Sequence, residues 1–294
     1  MSIFRSLISF FLAISFAFPQ AAWALKEAPP ADDSVRVPGF WEVVTDLPMD
    51  LREFGKAALE PENRGLVLGI AAMTAITVKT DYESWRAAAI PERENNSVRQ
   101  FSNYGVSMGD GFFQFGIVGG FLAAGTATGN KRAIRTASQI TEAILATGIV
   151  VQVIKHTTGR ESPFSSETRT GVWRMFPDQL EYNKDFQKYD AVPSGHLSTA
   201  TTTYIVIYEN YPEQKWIPYV GLPVLGWISF GLAATSIHWW SDFPIAVALG
   251  YSMGRIVTRE NRGEANSQRS AWRPLVFPGV SSQGEPILLA GWTF

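Results

Sequence analysis

The chain contains no cysteine and only three histidines in 294 residues. The first absence excludes a disulfide scaffold, a thiolate zinc site and a cysteine nucleophile. The second confines any imidazole chemistry to His156, His196 and His238. Charge is scarce too: Asp, Glu, Lys and Arg make up 18% of the chain, against roughly 25% in an average soluble domain. With a formal net charge of −2, there is no basic excess to meet a phosphate backbone, so no nucleic-acid partner is expected. Apolar residues are plentiful at 46%, which excludes a disordered chain.

Residues 1–24 read as a secretory signal peptide. Arg5 starts it, Leu7 to Phe18 is an apolar run too short to span a bilayer, and Ala22-Trp23-Ala24 puts small residues at −3 and −1. The alternative for this segment is an uncleaved anchor. Residues 25–60 form a polar, proline-containing leader and then an amphipathic helix over Pro48–Leu59, with Leu51, Phe54 and Ala58 on one face.

Residues 61–262 hold the apolar segments Leu66–Val78, Val106–Thr128, Ala133–Ile154, Leu197–Tyr208, Trp216–Ile237 and Phe243–Val257. None alternates with the period of a strand, so the fold class is all-α, a helical bundle of about six core helices. Gly105, Gly109, Gly116, Gly120, Gly125 and Gly129 are spaced to line a packing seam. In residues 263–294, Pro274–Pro278 and Pro286–Phe294 flank the turn-rich Gly279–Glu285, which predicts a short β-hairpin packed on the bundle.

Trp216–Ile237 is long enough to span a membrane, whereas Leu66–Val78 and Phe243–Gly254 are short and Ala133–Ile154 carries Arg135, Gln139 and Glu142. Lys131, Arg132 and Arg135, with Arg255, Arg259 and Arg262, favour a cytoplasmic side. That placement needs a cytoplasmic start, which a cleaved signal does not give. The expectation is therefore a periplasmic bundle of core helices that does not span. The alternative is an integral inner-membrane protein whose site faces the periplasm.

Three clusters carry the chemistry: Lys155 to Pro163, Pro193-Ser194-Gly195-His196, and His238 to Asp242. Each alone has a plain structural explanation as a helix stop, a helix start or a buried polar pair. Together they take in all three histidines, and each sits at a helix boundary, where binding groups gather. Backbone N–H groups at Ser194, Gly195 and His196 suit an anion, and Gly195 admits close approach. Lys155 and Arg160 neutralise oxygens, Arg160 in bidentate fashion. Asp242 accepts a proton from one nitrogen of His238, leaving the other as a nucleophile, and His196 serves as acid and then base. No metal and no cofactor is required.

In order and position, Lys155 with Pro163, Pro193 to His196, and His238 with Asp242 resemble the type 2 phosphatidic acid phosphatase and vanadium haloperoxidase superfamily. The similarity spans about Leu66 to Val257. It implies an all-α bundle, a phosphohistidine on His238, His196 as general acid, and phosphate contacts from Lys155, Ser194 and Gly195. The pattern departs at two places. Ser162 stands where the family has arginine before the proline, and Leu232 where it has arginine six residues before the nucleophile. Arg160 is the best-placed substitute.

The leading expectation is a metal-independent envelope phosphomonoesterase acting on phosphorylated small molecules or lipid-linked phosphates, in association with a membrane surface. Its alternative is a weakened or inactive anion- or lipid-binding member of the same superfamily. A metallohydrolase using His196, His238 and Asp242 is a third class, and haloperoxidase chemistry in a vanadate-loaded pocket a fourth. The polar, aromatic loop from Glu161 to Val192 is expected to overhang the site, with Arg169, Arg174 and Lys184 solvated.

Overall fold

The structure is a computed structural model that describes residues 37–39, 41–261, 274–280 and 286–292. The signal segment and most of the leader lie outside the described residues. Helices α1 (Glu42–Thr45) and α2 (Leu47–Leu59) come first, followed by α3 (Arg64–Val78), α4 (Asp81–Glu94), α5 (Asn96–Gly109), α6 (Gly111–Thr128) and α7 (Lys131–Thr158). After a long loop come α8 (Gln179–Lys184), α9 (Gly195–Asn210), α10 (Ile217–Ala234) and α11 (Phe243–Asn261). Strands β1 (Pro274–Val280) and β2 (Pro286–Trp292) pair antiparallel, Pro274 opposite Trp292. The all-α class with a short C-terminal strand pair is as expected.

Sequence reading runs one helix through Val106–Thr128; the structure breaks it in two. Asp110 is extended (φ −65°, ψ 145°) and its carboxylate accepts the Phe112 N–H at 2.7 Å, which ends α5 and starts α6. Helices α4 and α5 escape the apolar search because their sequences are polar on one side. Asn95 starts α5 by accepting the N–H groups of Ser97 and Val98.

Helix α9 is the centre of the bundle, packed on α7, α10 and α11, while α10 lies against α4 and α5. One core cluster joins Leu197 and Ala200 of α9 to Ile228 and Leu232 of α10 and Phe243 of α11. A second joins Ile140, Ala143 and Ile144 of α7 to Val206 and Val257. Small residues set the spacing: a Cβ on Gly250 would lie 2.4 Å from the Ser198 carbonyl, and one on Gly231 2.5 Å from that of Ser102. The expected glycine seam is real only in part. Gly105, Gly109 and Gly125 meet neighbours closely, but nothing lies within 4 Å of a Cβ on Gly116 or Gly120.

Those two glycines lie on α6, which buries only 11% of its residues. Phe112 is 92% exposed, and Phe113, Phe115 and Leu122 also face outward. The expectation that every apolar segment is a core helix therefore fails at α6. Three described helices, α6, α7 and α10, are long and apolar enough to cross a membrane. In α7 the polar residues Arg135, Gln139 and Glu142 are all buried, so they face the bundle.

Gly250→Ala should destabilise the fold by about 1–3 kcal/mol, the usual cost of overpacking. Gly116→Ala should be neutral or stabilising by up to about 1 kcal/mol through helix propensity. Thermal unfolding of both variants in detergent micelles checks the contrast.

Candidate active site

Gly159 stops α7 in the left-handed conformation (φ 51°), and its N–H returns to the Lys155 carbonyl. That places Lys155 in the last turn, where its Nζ donates to Asp190 Oδ2 at 3.2 Å. Ser194 caps α9, its Oγ accepting the Leu197 N–H, so Gly195 and His196 stand in the first turn, whose N–H groups have no intrahelical acceptor. A Cβ on Gly195 would meet only Val151 Cγ1, at 3.8 Å. This glycine is thus not demanded by packing, and its backbone borders open space.

The third cluster follows α10. The Leu232 carbonyl accepts the N–H groups of Ile237 and His238, at 3.0 and 3.2 Å. Ser236 turns the chain with a positive φ of 65°. Asp242 Oδ2 accepts the Trp239 N–H at 2.8 Å, closing the short turn before α11. The imidazole of His238 is buried, with its Nδ1 2.7 Å from the Ala191 carbonyl and 3.4 Å from Asp242 Oδ2. A carbonyl only accepts, so Nδ1 carries the hydrogen and Nε2 holds the lone pair. No described residue bonds Nε2. Asp242 was expected to fix this tautomer; the shorter contact comes from Ala191.

Arg160 departs further from expectation. Its side chain is fully buried, and its fork closes on protein groups rather than opening toward a phosphate. Nη1 reaches Asp242 Oδ1 at 2.5 Å and Ser241 Oγ at 2.7 Å, and Nη2 reaches Asp81 Oδ2 and the Thr170 carbonyl, both at 2.7 Å. Nε also faces Thr170, at 3.2 Å. A guanidinium has five N–H donors, and these contacts engage all of them.

The structure gathers Lys155, Ser194, Gly195, His196, His238 and Asp242 at one end of the bundle. His156 points elsewhere, stacked on Tyr182 at 4.1 Å between ring centroids. Ser162 is buried, its N–H bonded to the Gln187 carbonyl, and Leu232 is wholly buried in the core. Trp239 and Trp240 are also buried. Of the loop cations expected to be solvated, Arg169 pairs with Glu83 and Lys184 with Glu181 at the surface, while Arg174 pairs with Glu161.

Sequence reading missed Asp81, Asp190 and the Ala191 carbonyl, and gave Ser241, inside the third cluster, no role of its own. Asp81 looks like any acidic residue in a first helical turn. A backbone carbonyl has no sequence signal at all. Burial raises the Asp81 carboxyl above its ordinary range, and the adjacent Arg160 opposes that shift. Burial, then His238 and Lys155, lower His196 to about 4, with Asp110 and Asp190 pulling the other way.

The family model of the PAP2 superfamily matches residues 137–263. That stretch contains all three clusters. A similar solved structure is the "first transmembrane PAP2 type phosphatidylglycerolphosphate phosphatase from Bacillus subtilis", with a TM-score of 0.44 and 12% identity over 78% of this chain and 100% of that one. The likeness is too distant to carry fold or activity across. No curated protein matches the chain.

The depressed His196 fixes a pH dependence. Folded, it releases its proton near pH 4; unfolded, near 6.5. Its contribution is therefore fully present above about pH 6.5 and is lost as pH falls from there through about 4, by up to about 3 kcal/mol. Melting curves should show a shallower loss over that window in His196→Gln than in the parent. Equal slopes would contradict the shift.

Proposed function

We propose that the chain is a metal-independent phosphomonoesterase that works through a phosphohistidine on His238. The observation that carries this reading is the buried His238 ring, with Nδ1–H given to the Ala191 carbonyl and Nε2 left as the lone-pair nitrogen. Nε2 attacks phosphorus and the P–O bond to the alcohol breaks. Protonated His196 supplies the proton to the departing oxygen. His196, now neutral, takes a proton from water; the hydroxide oxygen attacks phosphorus, the P–N bond breaks and phosphate leaves. Lys155 and the N–H groups at Gly195 and His196 hold the phosphoryl oxygens, and Asp242 steadies the imidazolium that forms.

His196 is neutral in the free protein at pH 7, given its lowered pKa. An arriving phosphate dianion favours the imidazolium, so the substrate itself arms the acid. Turnover then rises toward acidic pH.

The exposed apolar face of α6 supports a membrane location and lipid-linked phosphates as substrates. The bundle's polarity supports the side. Arg132, beside the start of α7, donates to the Asn210 carbonyl at the end of α9, so these helices run antiparallel. Lys131 and Lys155 are separated by roughly 36 Å along α7, more than the roughly 30 Å of a hydrocarbon core. With Lys131, Arg132, Arg255 and Arg259 at the cytoplasmic face, the site opens on the periplasmic side.

One observation favours a second reading. With Ser162 and Leu232 in place of arginines, and the fork of Arg160 closed on Asp81 and Asp242, the pocket has fewer cations than the family pattern supplies. A weakened enzyme, or a protein that only binds phosphorylated lipid, fits this economy.

Purified full-length protein should hydrolyse 4-nitrophenyl phosphate and micellar phosphatidic acid with undiminished rate in chelator. His238→Ala should abolish turnover, and His196→Ala should lower it by about 10²–10⁴-fold. Vanadate binding by a parent without turnover establishes the binding reading. Activity retained in His238→Ala removes the proposed mechanism.

A further inference from the structure

We propose that Asp81, on α4 and outside the residues matched by the family model, is a positioning residue for His238 that acts through Arg160 and Ser241. The proposal rests on the phosphohistidine reading and deepens it. Asp81 is fully buried and accepts three hydrogen bonds. Its Oδ1 takes the Ser241 N–H at 3.0 Å; its Oδ2 takes Ser241 Oγ–H at 2.5 Å and Arg160 Nη2 at 2.7 Å. All three hydrogen-bond partners are donors, which suits a carboxylate that only accepts.

Two arms run from this pair to the nucleophile. Through the side chain, Arg160 holds Asp242 at 2.5 Å, and Asp242 in turn fixes the Trp239 N–H and lies 3.4 Å from His238 Nδ1. Through the backbone, the Arg160 carbonyl accepts the Ala191 N–H at 3.0 Å, and the Ala191 carbonyl accepts His238 Nδ1–H at 2.7 Å. Arg160 thus sets both oxygens that face the imidazole.

Asp81 is what holds Arg160 in that place. A buried guanidinium needs its charge matched and its donors filled. Asp242 and Asp81 grip the two Nη atoms from opposite elements, α4 on one side and the turn before α11 on the other. Ser241 bridges them, accepting from Arg160 Nη1 and donating to Asp81. An asparagine at 81 would turn an N–H₂ toward one of these donors and remove the anion, freeing the fork to rotate away from Asp242. The position of Nε2 would loosen while the phosphate pocket of Lys155 and the α9 amides stayed intact.

The test uses the full-length chain in detergent micelles, with Asp81→Asn and the milder Ser241→Ala. Two readouts are taken: kcat and KM separately on 4-nitrophenyl phosphate, and the ring nitrogen NMR signals of the three histidines. In Asp81→Asn, kcat should fall by about 10–100-fold, the scale of an ångström-sized misplacement, with KM within about threefold of the parent. The Nδ1–H signal of His238 should broaden or shift, those of His156 staying put. Ser241→Ala should move both readouts the same way by less. A folded Asp81→Asn with parental kcat and an unmoved His238 signal overturns the proposal, as does a lowered melting temperature alone. If Asp81→Asn does not fold, parental values in Ser241→Ala overturn it. A parent with no turnover rejects the phosphatase reading instead, and the His238 signal then still decides whether Asp81 positions the ring.

Discussion

A single guanidinium with every donor engaged organises the reactive end of this protein. Arg160 sits wholly buried between two carboxylates, a position that is costly unless each hydrogen bond is made. Stripping one partner from such a group typically costs about 3–5 kcal/mol, so the elements that supply the partners are tied together. These are α4 through Asp81, the loop through Thr170, and the turn before α11 through Ser241 and Asp242. His238 inherits its orientation from that junction.

The rest of the bundle is arranged around the same axis. α9 begins at the site and ends at the basic pole, where Asn210 meets Arg132 and Gln139. α7 runs the opposite way, from Lys131 to Lys155. Apolar side chains fill the interior between α7, α9, α10 and α11, while α6 turns its phenylalanines outward. The scarcity of charge in the sequence has a structural counterpart: Arg160 is spent on a buried pairing with Asp81 and Asp242, and α6 presents an apolar flank.

Much of this was legible in the sequence because the signals were local. Helix stops and starts at Gly159 and Ser194, the strand pair after Pro274, and the residues of the three motifs could be read from spacing and turn chemistry. What escaped was non-local or backbone-borne. The tautomer of His238 is set by a carbonyl, at Ala191, that any residue would supply. The fate of Arg160 depends on Asp81, about eighty positions away, so nothing near Arg160 announces that its fork is taken. Burial along α6 was misjudged because an apolar helix reads the same whether protein or lipid covers it.

The proposed turnover depends on a phosphoryl group carried on His238, and trapping that group in an alkaline detergent quench is the decisive measurement. Purified protein mixed with ³²P-labelled phosphomonoester and quenched in alkaline detergent within the first turnover should carry base-stable label that acid removes. Peptide mapping should place that label on the segment containing His238. Label should appear in the parent and be absent from His238→Ala. Phosphate release at the parental rate with no trapped label, or label that persists in His238→Ala, would contradict it.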